Sequence, residues 1–311
     1  MKRYIEIRNL DINEINQRVR EDADSLIFEE SRRYDAEVEK LARHLADRFH
    51  DHCIVLLSGP SSAGKTTTSM KLTSYLKGFG IDAHTVSMDD FYRGREQAPL
   101  LENGNYDYEA LEALRLDKLE QCMRELITEG RTTLPKFDFH HGKPSDETYE
   151  LVIQPNSFVV FEGIHAINPY FEQHLPPDNM FKVFINTVSP FMEGGRKAVA
   201  RREIRLVRRM IRDEKYRNSP ILNTLEMWQQ VVRGENEYMF PYVDTVNYLI
   251  DTTHAYEPCV FAPIILPKLK SVPTDSEYID TVNRLIEVLS RFEPLPLEKM
   301  PKDALLREFS G

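Results

Sequence analysis

An apolar run, CIVLLSG (53–59), leads directly into Gly59-Pro60-Ser61-Ser62-Ala63-Gly64-Lys65-Thr66, and a stretch of helical periodicity follows. The octet matches G-x-x-x-x-G-K-[ST] in the strand–turn–helix setting that this phosphate-binding turn needs. Its glycines let backbone N–H groups turn inward around phosphate oxygens, and the helix N-terminus adds its positive end. Lys65 is placed to reach β- and γ-phosphates, and the Thr66 hydroxyl to ligate Mg²⁺. Gly59, Ser61, Ser62, Ala63, Gly64 and Thr67 complete a cradle for a nucleoside triphosphate, ATP, held with Mg²⁺. The bland alternative is a glycine-rich turn that binds nothing, and the complete Lys65-Thr66 pair speaks against it.

The rest of the chain follows the same alternation. HTVSMDD (84–90), SFVVFEG (157–163), KVFINTV (182–188) and VNYLIDTT (246–253) read as further strands. Between them the spacing predicts helices over 108–129, where Leu119, Met123 and Leu126 share a face, over 195–216, and over 219–234. This pattern gives an α/β fold: a mostly parallel five-stranded sheet of the P-loop NTPase type, with helices on both faces. Residues 1–50 form a helical extension, with Val38, Leu41, Leu45 and Phe49 as its apolar stripe. Residues 51–256 form the core, with an arginine-rich lid at about 195–219. Residues 257–311 form a proline-rich extension packed on that core, with a helix over 277–292 and an irregular tail.

Two carboxylates stand where strands meet the phosphate-binding edge. Asp89, in Asp89-Asp90-Phe91-Tyr92, can take a proton from an attacking hydroxyl or help hold Mg²⁺; Asp90 has the competing reading of a turn cap. Glu162, in Phe161-Glu162-Gly163-Ile164, can serve magnesium or the acceptor. Between Arg196 and Arg217 ten Lys or Arg face three acids. Arg205, Arg208, Arg209 and Arg212 recur at helical spacing, which suits phosphate charge, although a charge run is ordinarily a solvated face. These arginines are expected to lack enough acids for internal pairing, so the segment is expected to be a loosely held lid. Asp107, in NYDY, could accept hydrogen bonds from a diol, and Phe137 and Phe139 could wall a flat ring. The bland reading of these three is a loop acid and core aromatics. His140-His141 has no third partner at metal-binding spacing.

Composition narrows the partners. A net charge of −10 gives no global pull toward nucleic acid or an anionic membrane. The three cysteines, Cys53, Cys122 and Cys259, are too scattered for a disulfide framework. No apolar run approaches the roughly 20 residues of a membrane span, and the first residues lack a signal-peptide pattern. The cytoplasm is the default compartment, and a homo-oligomer is compatible with the sequence.

Taken in order, GPSSAGKTT, SMDDFYR, NYDYEAL, LPKFDF, FEGI and RLVRRMIRDEKYR resemble the uridine kinase and phosphoribulokinase family of P-loop kinases. Within it the chain is most similar to bacterial nucleoside-kinase-like proteins, whose ending ALLREFSG resembles. Many of those carry an N-terminal TGS and threonyl-tRNA-synthetase-like region, expected to be absent here because about 50 residues precede the P-loop. The resemblance implies that Asp89 is the general base and that Tyr92 lies near the acceptor. It implies that Asp107 binds ribose hydroxyls and that Phe137 and Phe139 surround a pyrimidine. Arg209, Arg212 and Arg217 match lid arginines that engage phosphates. Two positions depart from the family: HHGKP does not align with its base-reading histidine, and Ser219 replaces a lid arginine. The expected activity is ATP·Mg²⁺-dependent phosphorylation of a small acceptor, the 5′-hydroxyl of a pyrimidine nucleoside. A kinase of another polyol (sugar, sugar phosphate or cyclitol) and a non-catalytic nucleotide-binding regulator are the alternatives.

Overall fold

The computed structural model describes residues 6–48, 53–139 and 141–311, so Phe49 and His140 lie outside the described residues. The chain opens with β1 (Leu10–Asp11) and α1 (Ile12–Arg48). This long helix breaks at Asp22, which leaves helical values at φ −157° and ψ 76°. The Asp22 carboxylate accepts from the Ser25 N–H and so restarts the helix as a cap. The core begins with β2 (Cys53–Ser58), α2 (Lys65–Gly78), β3 (Ala83–Ser87) and α3 (Leu116–Glu129). A hairpin of β4 (Arg131–Asp138) and β5 (Lys143–Val152) precedes β6 (Phe158–Glu162), α4 (Tyr170–His174) and β7 (Met180–Asn186). A second hairpin, β8 (Phe191–Glu193) and β9 (Arg196–Val199), leads into α5 (Arg201–Arg217) and α6 (Ile221–Tyr238). The chain closes through β10 (Tyr248–Asp251), α7 (Glu257–Leu269), α8 (Ile279–Leu289) and α9 (Arg307–Ser310).

Five strands form one all-parallel sheet in the order β10-β7-β2-β6-β3. Successive side chains of β2 point to opposite faces, and each face is covered. Cys53, Val55 and Leu57 pack in one core with α1, α2, α5, α7 and α8. Ile54 and Leu56 join a second core with Leu119, Met123 and Leu126 of α3. The central strand is β2, between β6 and β7, so the turn after it opens at the crevice where α/β sheets bind ligands.

The five expected strands are present, each within a few residues of its expected bounds. Val38, Leu41 and Leu45 are fully buried, as their spacing predicts. Several helical expectations need correction. The helix expected from Tyr108 starts at Leu116. Residues before it spend their backbone groups on the Asp89 loop, with Arg93 N–H donating to Ala113 O at 2.8 Å and Arg115 N–H to Phe91 O at 2.8 Å. The basic helix starts at Arg201 rather than Gly195, because Gly194 (φ 56°) and Gly195 (φ 76°) turn the β8–β9 hairpin. The α6 helix runs on to Tyr238, beyond the expected end at Gly234. Residues 257–269, read as merely proline-rich, form α7. Pro258 sits in its first turn, and the buried Cys259, Val260, Phe261 and Ile265 hold it in the core despite Pro263 and Pro267. LPKFDF runs along the first strand of the β4–β5 hairpin, with Phe139 one residue past its end.

Candidate active site

Gly59 leaves β2 beneath β7: a Cβ there would stand 2.5 Å from the carbonyl oxygen of Ile185. Ser62 (φ 58°) and Gly64 (φ 94°) take left-handed backbone, which curls the loop around the start of α2, with the Ala63 N–H closing the turn on Pro60 O at 3.1 Å. Lys65 Nζ donates to Gly59 O at 3.0 Å and so lies across the loop. The Thr66 hydroxyl donates to Glu162 Oε1 at 3.4 Å, and Ser87 Oγ to the same oxygen at 3.2 Å. Burial pushes the Glu162 carboxyl up to about 7; Lys65 opposes this, while Asp89 and Glu308 add to it.

Asp89 and Asp90 have opposite environments. Both lie in the 3₁₀ turn Met88–Phe91 after β3, capped by Ser87, rather than in the strand itself. The Asp89 side chain is exposed to the cleft and accepts no hydrogen bond from the described residues. Loss of water around the carboxylate raises it, against the lowering pull of Lys65, Arg217 and Arg212. Asp90 instead accepts the Phe137 N–H at 3.2 Å and ties the β4–β5 hairpin to the turn.

The arginines of α5 depart from the expectation that they lack acidic partners. Arg205 forms a bidentate pair with Glu235 at 2.5 and 2.7 Å, and Arg208 one with Glu257 at 2.7 and 3.0 Å. Both guanidinia also donate to loop carbonyls, Arg205 to Ser61 O and Arg208 to Ser62 O, and both are buried. The first half of α5 is therefore braced under the phosphate-binding loop by paired acids, contrary to the expectation that its arginines lack them. Further along, Arg209 donates to Ser61 Oγ at 2.7 Å. Arg209, Arg212 and Arg217 approach a single buried carboxylate, Asp213, at 3.1, 2.9 and 3.3 Å. Three cations on one anion leave surplus positive charge beside the loop, where phosphate would lie.

Beside Asp89 opens a cavity of about 200 Å³ lined by Tyr92, Arg93, Arg95, Glu109, Phe137 and Phe139, among others. The Phe137 and Phe139 rings meet edge to face at 5.1 Å, and Tyr92 meets Phe137 at 6.1 Å. Burial drives the Tyr92 hydroxyl well above its usual range, with Asp89 and Glu109 adding to the shift. Asp107 is not among the cavity's lining residues. It is buried, takes Arg233 at 2.7 Å and the Tyr238 hydroxyl at 2.9 Å, and caps the Glu109 N–H at 3.1 Å. The carboxylate facing the cavity is Glu109, pushed up to about 7 by burial against the pull of Arg209.

The structure thus brings together Lys65, Thr66, Asp89, Glu162, Arg209, Arg212 and Arg217 at one sheet edge, with Tyr92, Phe137 and Phe139 next to them. Sequence reasoning missed Glu109, although it stands two residues after Asp107 in NYDYE. It also missed Arg233, Tyr238 and Glu308, for which no local signal exists. Among the described residues no cluster of His, Cys, Asp and Glu is arranged to hold a metal by itself. No described helix is long and apolar enough to cross a membrane.

Known proteins are similar to this chain across its core. Residues 54–255 match the Phosphoribulokinase / Uridine kinase family. A uridine kinase of Saccharomyces cerevisiae is 26% identical over 183 residues, 58% of this chain and 32% of that protein. A uridine kinase of Bacillus subtilis is 23% identical over 189 residues, 60% of this chain and 80% of that protein. A solved structure described as a possible uridine kinase from Bacillus stearothermophilus superposes with a TM-score of 0.48 at 14% identity, over 70% of this chain and 98% of that one. The family match spans the sheet, the phosphate-binding turn and α5. This chain belongs to the Phosphoribulokinase / Uridine kinase family and is an ATP-dependent kinase that phosphorylates a hydroxyl.

Proposed function

We propose that the chain transfers the γ-phosphoryl group of ATP to the 5′-hydroxyl of a pyrimidine nucleoside. The observation that carries this is the position of Asp89, whose carboxylate takes no hydrogen bond from the described residues and lies near both Lys65 and Tyr92 of the aromatic cavity. In this reading Asp89 accepts the proton of the acceptor hydroxyl as its oxygen attacks the γ-phosphorus, and ADP departs. Lys65, Arg209, Arg212 and Arg217 neutralise charge on the transferring group. The loop N–H groups of Ser62, Gly64 and Thr66, and that of Thr67 once Glu308 leaves it, orient the phosphates, while Ser61 and Ala63 shape the loop through Glu235 and Pro60 and Gly59 gives the turn its clearance. The hydroxyl of Thr66 and the carboxylate of Glu162 would hold Mg²⁺ as oxygen donors, with Asp89 reaching it only while it does not carry the acceptor's proton. When bound there, Mg²⁺ neutralises charge on the β- and γ-phosphates. Phe137, Phe139 and Tyr92 flank the base. Glu109, which faces the cavity, receives the ribose diol, and Asp107, spent on Arg233 and Tyr238, positions it through the Glu109 N–H.

A second acceptor class has its own support. Arg93 and Arg95 line the same cavity, which suits a polyol that already bears an anionic group, such as a sugar phosphate. ADP release across a panel of ribonucleosides, 2′-deoxynucleosides, sugars, sugar phosphates and cyclitols separates the two. Turnover with pyrimidine ribonucleosides is the expected result. Turnover with phosphorylated polyols alone selects the second class, and no turnover with any acceptor leaves the chain a nucleotide-binding regulator.

A further inference from the structure

The first turn of α2 already holds an anion. Glu308, from α9, accepts the Thr67 backbone N–H at 3.0 Å and the Thr67 hydroxyl at 2.7 Å with one carboxylate oxygen. Thr67 follows the Lys65-Thr66 pair of the phosphate-binding turn. Its N–H is one of the helix-start donors that a nucleotide phosphate would use. The contact joins residues 241 apart in sequence, so folding carries this carboxylate to the turn.

The segment around Glu308 is held there by other groups. Leu305, Leu306 and Phe309 are fully buried, and Leu305 fills the space beside Gly64, where a Cβ would stand 2.7 Å from its Cδ1. The Arg208 guanidinium lies 5.1 Å from the Phe309 ring centroid. Arg307 donates to the carbonyls of Leu297 and Met300, and Lys215 Nζ donates to Ser310 O. None of these contacts uses the charge of Glu308. The carboxylate also has somewhere to go: it borders a cavity of about 500 Å³ that includes Lys71, Tyr75, Lys302 and Arg307.

We propose that Glu308 is a built-in competitor for the donor's phosphate, holding the first-turn donors of α2 in the nucleotide-free protein and giving them up when the triphosphate binds. The inference rests on the kinase reading of the loop and adds to it an affinity-determining residue supplied by the C-terminal segment. A carboxylate and a phosphate cannot share these two donors, and their like charges repel, so each lowers the occupancy of the other. Glu308 thereby weakens nucleotide binding and makes release of ADP easier, without touching the acceptor side.

The test is calorimetric titration of ADP and ATP into the whole chain, its Glu308→Gln variant and its Asp303→Asn variant. Asp303 is an acid on the rim of the same cavity with a side chain 82% exposed, and it controls for general electrostatics. Glu308→Gln is expected to tighten both nucleotides about tenfold, the scale of an anion at a helix start, and Asp303→Asn to change them less than about twofold. An unchanged or weaker Kd in Glu308→Gln overturns the proposal, as does equal tightening in Asp303→Asn. Should neither wild type nor Glu308→Gln bind nucleotide, the loop itself is not a nucleotide site and the proposal falls with it. Hydrogen exchange of residues 305–310 in the wild-type chain gives a readout free of any variant. ADP is expected to speed exchange there, and slower exchange would make the segment a wall of the site rather than its occupant.

Discussion

The donor and acceptor sides of the cleft are built in opposite ways. On the donor side a contiguous octet makes the turn, and buried arginines, each on its own acid, brace it from below: Arg205 on Glu235 and Arg208 on Glu257. On the acceptor side Tyr92, Glu109, Phe137 and Phe139 come from three separate segments, and Phe139 remains 58% exposed. The rigid half holds a part common to all phosphoryl donors. The open half holds what must differ between acceptors. Asp89 stands between them with no hydrogen bond to its carboxylate from the described residues, and Asp90 beside it is spent on tethering the hairpin.

The sharpest way to break the donor half is Lys65→Ala. Removing the charge aimed at the transferring phosphate should cost several kcal/mol of transition-state stabilisation, a fall in kcat of about a thousandfold or more. Circular dichroism should remain native, and a variant within tenfold of the wild-type kcat would remove Lys65 from the account.

The brace is tested by stability. Arg208→Ala leaves Glu257 buried without its partner and should destabilise the fold by about 3–5 kcal/mol in chemical denaturation. Arg217→Ala, with a side chain 57% exposed, should change stability by less than about 1 kcal/mol. Similar losses in the two variants would erase the distinction between the anchored start of α5 and its open end.

A smaller effect separates the buried carboxylate of the donor half from ordinary surface acids. The Glu162 carboxyl titrates near 7 in the fold against its usual 4.5, so the folded state binds a proton that the unfolded chain has released. Stability of the nucleotide-free protein must therefore fall as pH rises from about 4.5 to about 7, by at most about 3 kcal/mol from this group. Glu162→Gln should lose less stability than wild type across that window in thermal melts. Parallel pH profiles for the two proteins would contradict the buried, proton-holding carboxylate.

How much of this was legible in the sequence follows the same divide. The turn, its strand and its helix are encoded by neighbours in sequence, so Gly59–Thr67 could be read residue by residue. The strands β6 and β7 announce themselves as continuous apolar runs because both faces of a parallel sheet are buried. The pairing of Arg205 and Arg208 could not be read, since Glu235 and Glu257 lie 30 and 49 residues away. The β4–β5 hairpin is mostly solvated and contains Pro135 and Pro144, so it carries no apolar alternation to betray two strands. Asp107 stands out in the sequence for its place in NYDY. Its commitment to Arg233 and Tyr238 depends on where α6 lands, while Glu109, two residues on, turns to the cavity.

The central claim is that Asp89 is the base on which the two halves meet, and the most direct measurement compares Asp89→Asn with Asp90→Asn in single-turnover phosphoryl transfer at saturating ATP and acceptor. Asp89→Asn should lower the transfer rate by about 10²–10⁴-fold with ATP affinity nearly unchanged. Asp90→Asn should transfer close to the wild-type rate, with its cost confined to acceptor KM through the hairpin it tethers. A crippled Asp90→Asn beside a near-normal Asp89→Asn would contradict the account.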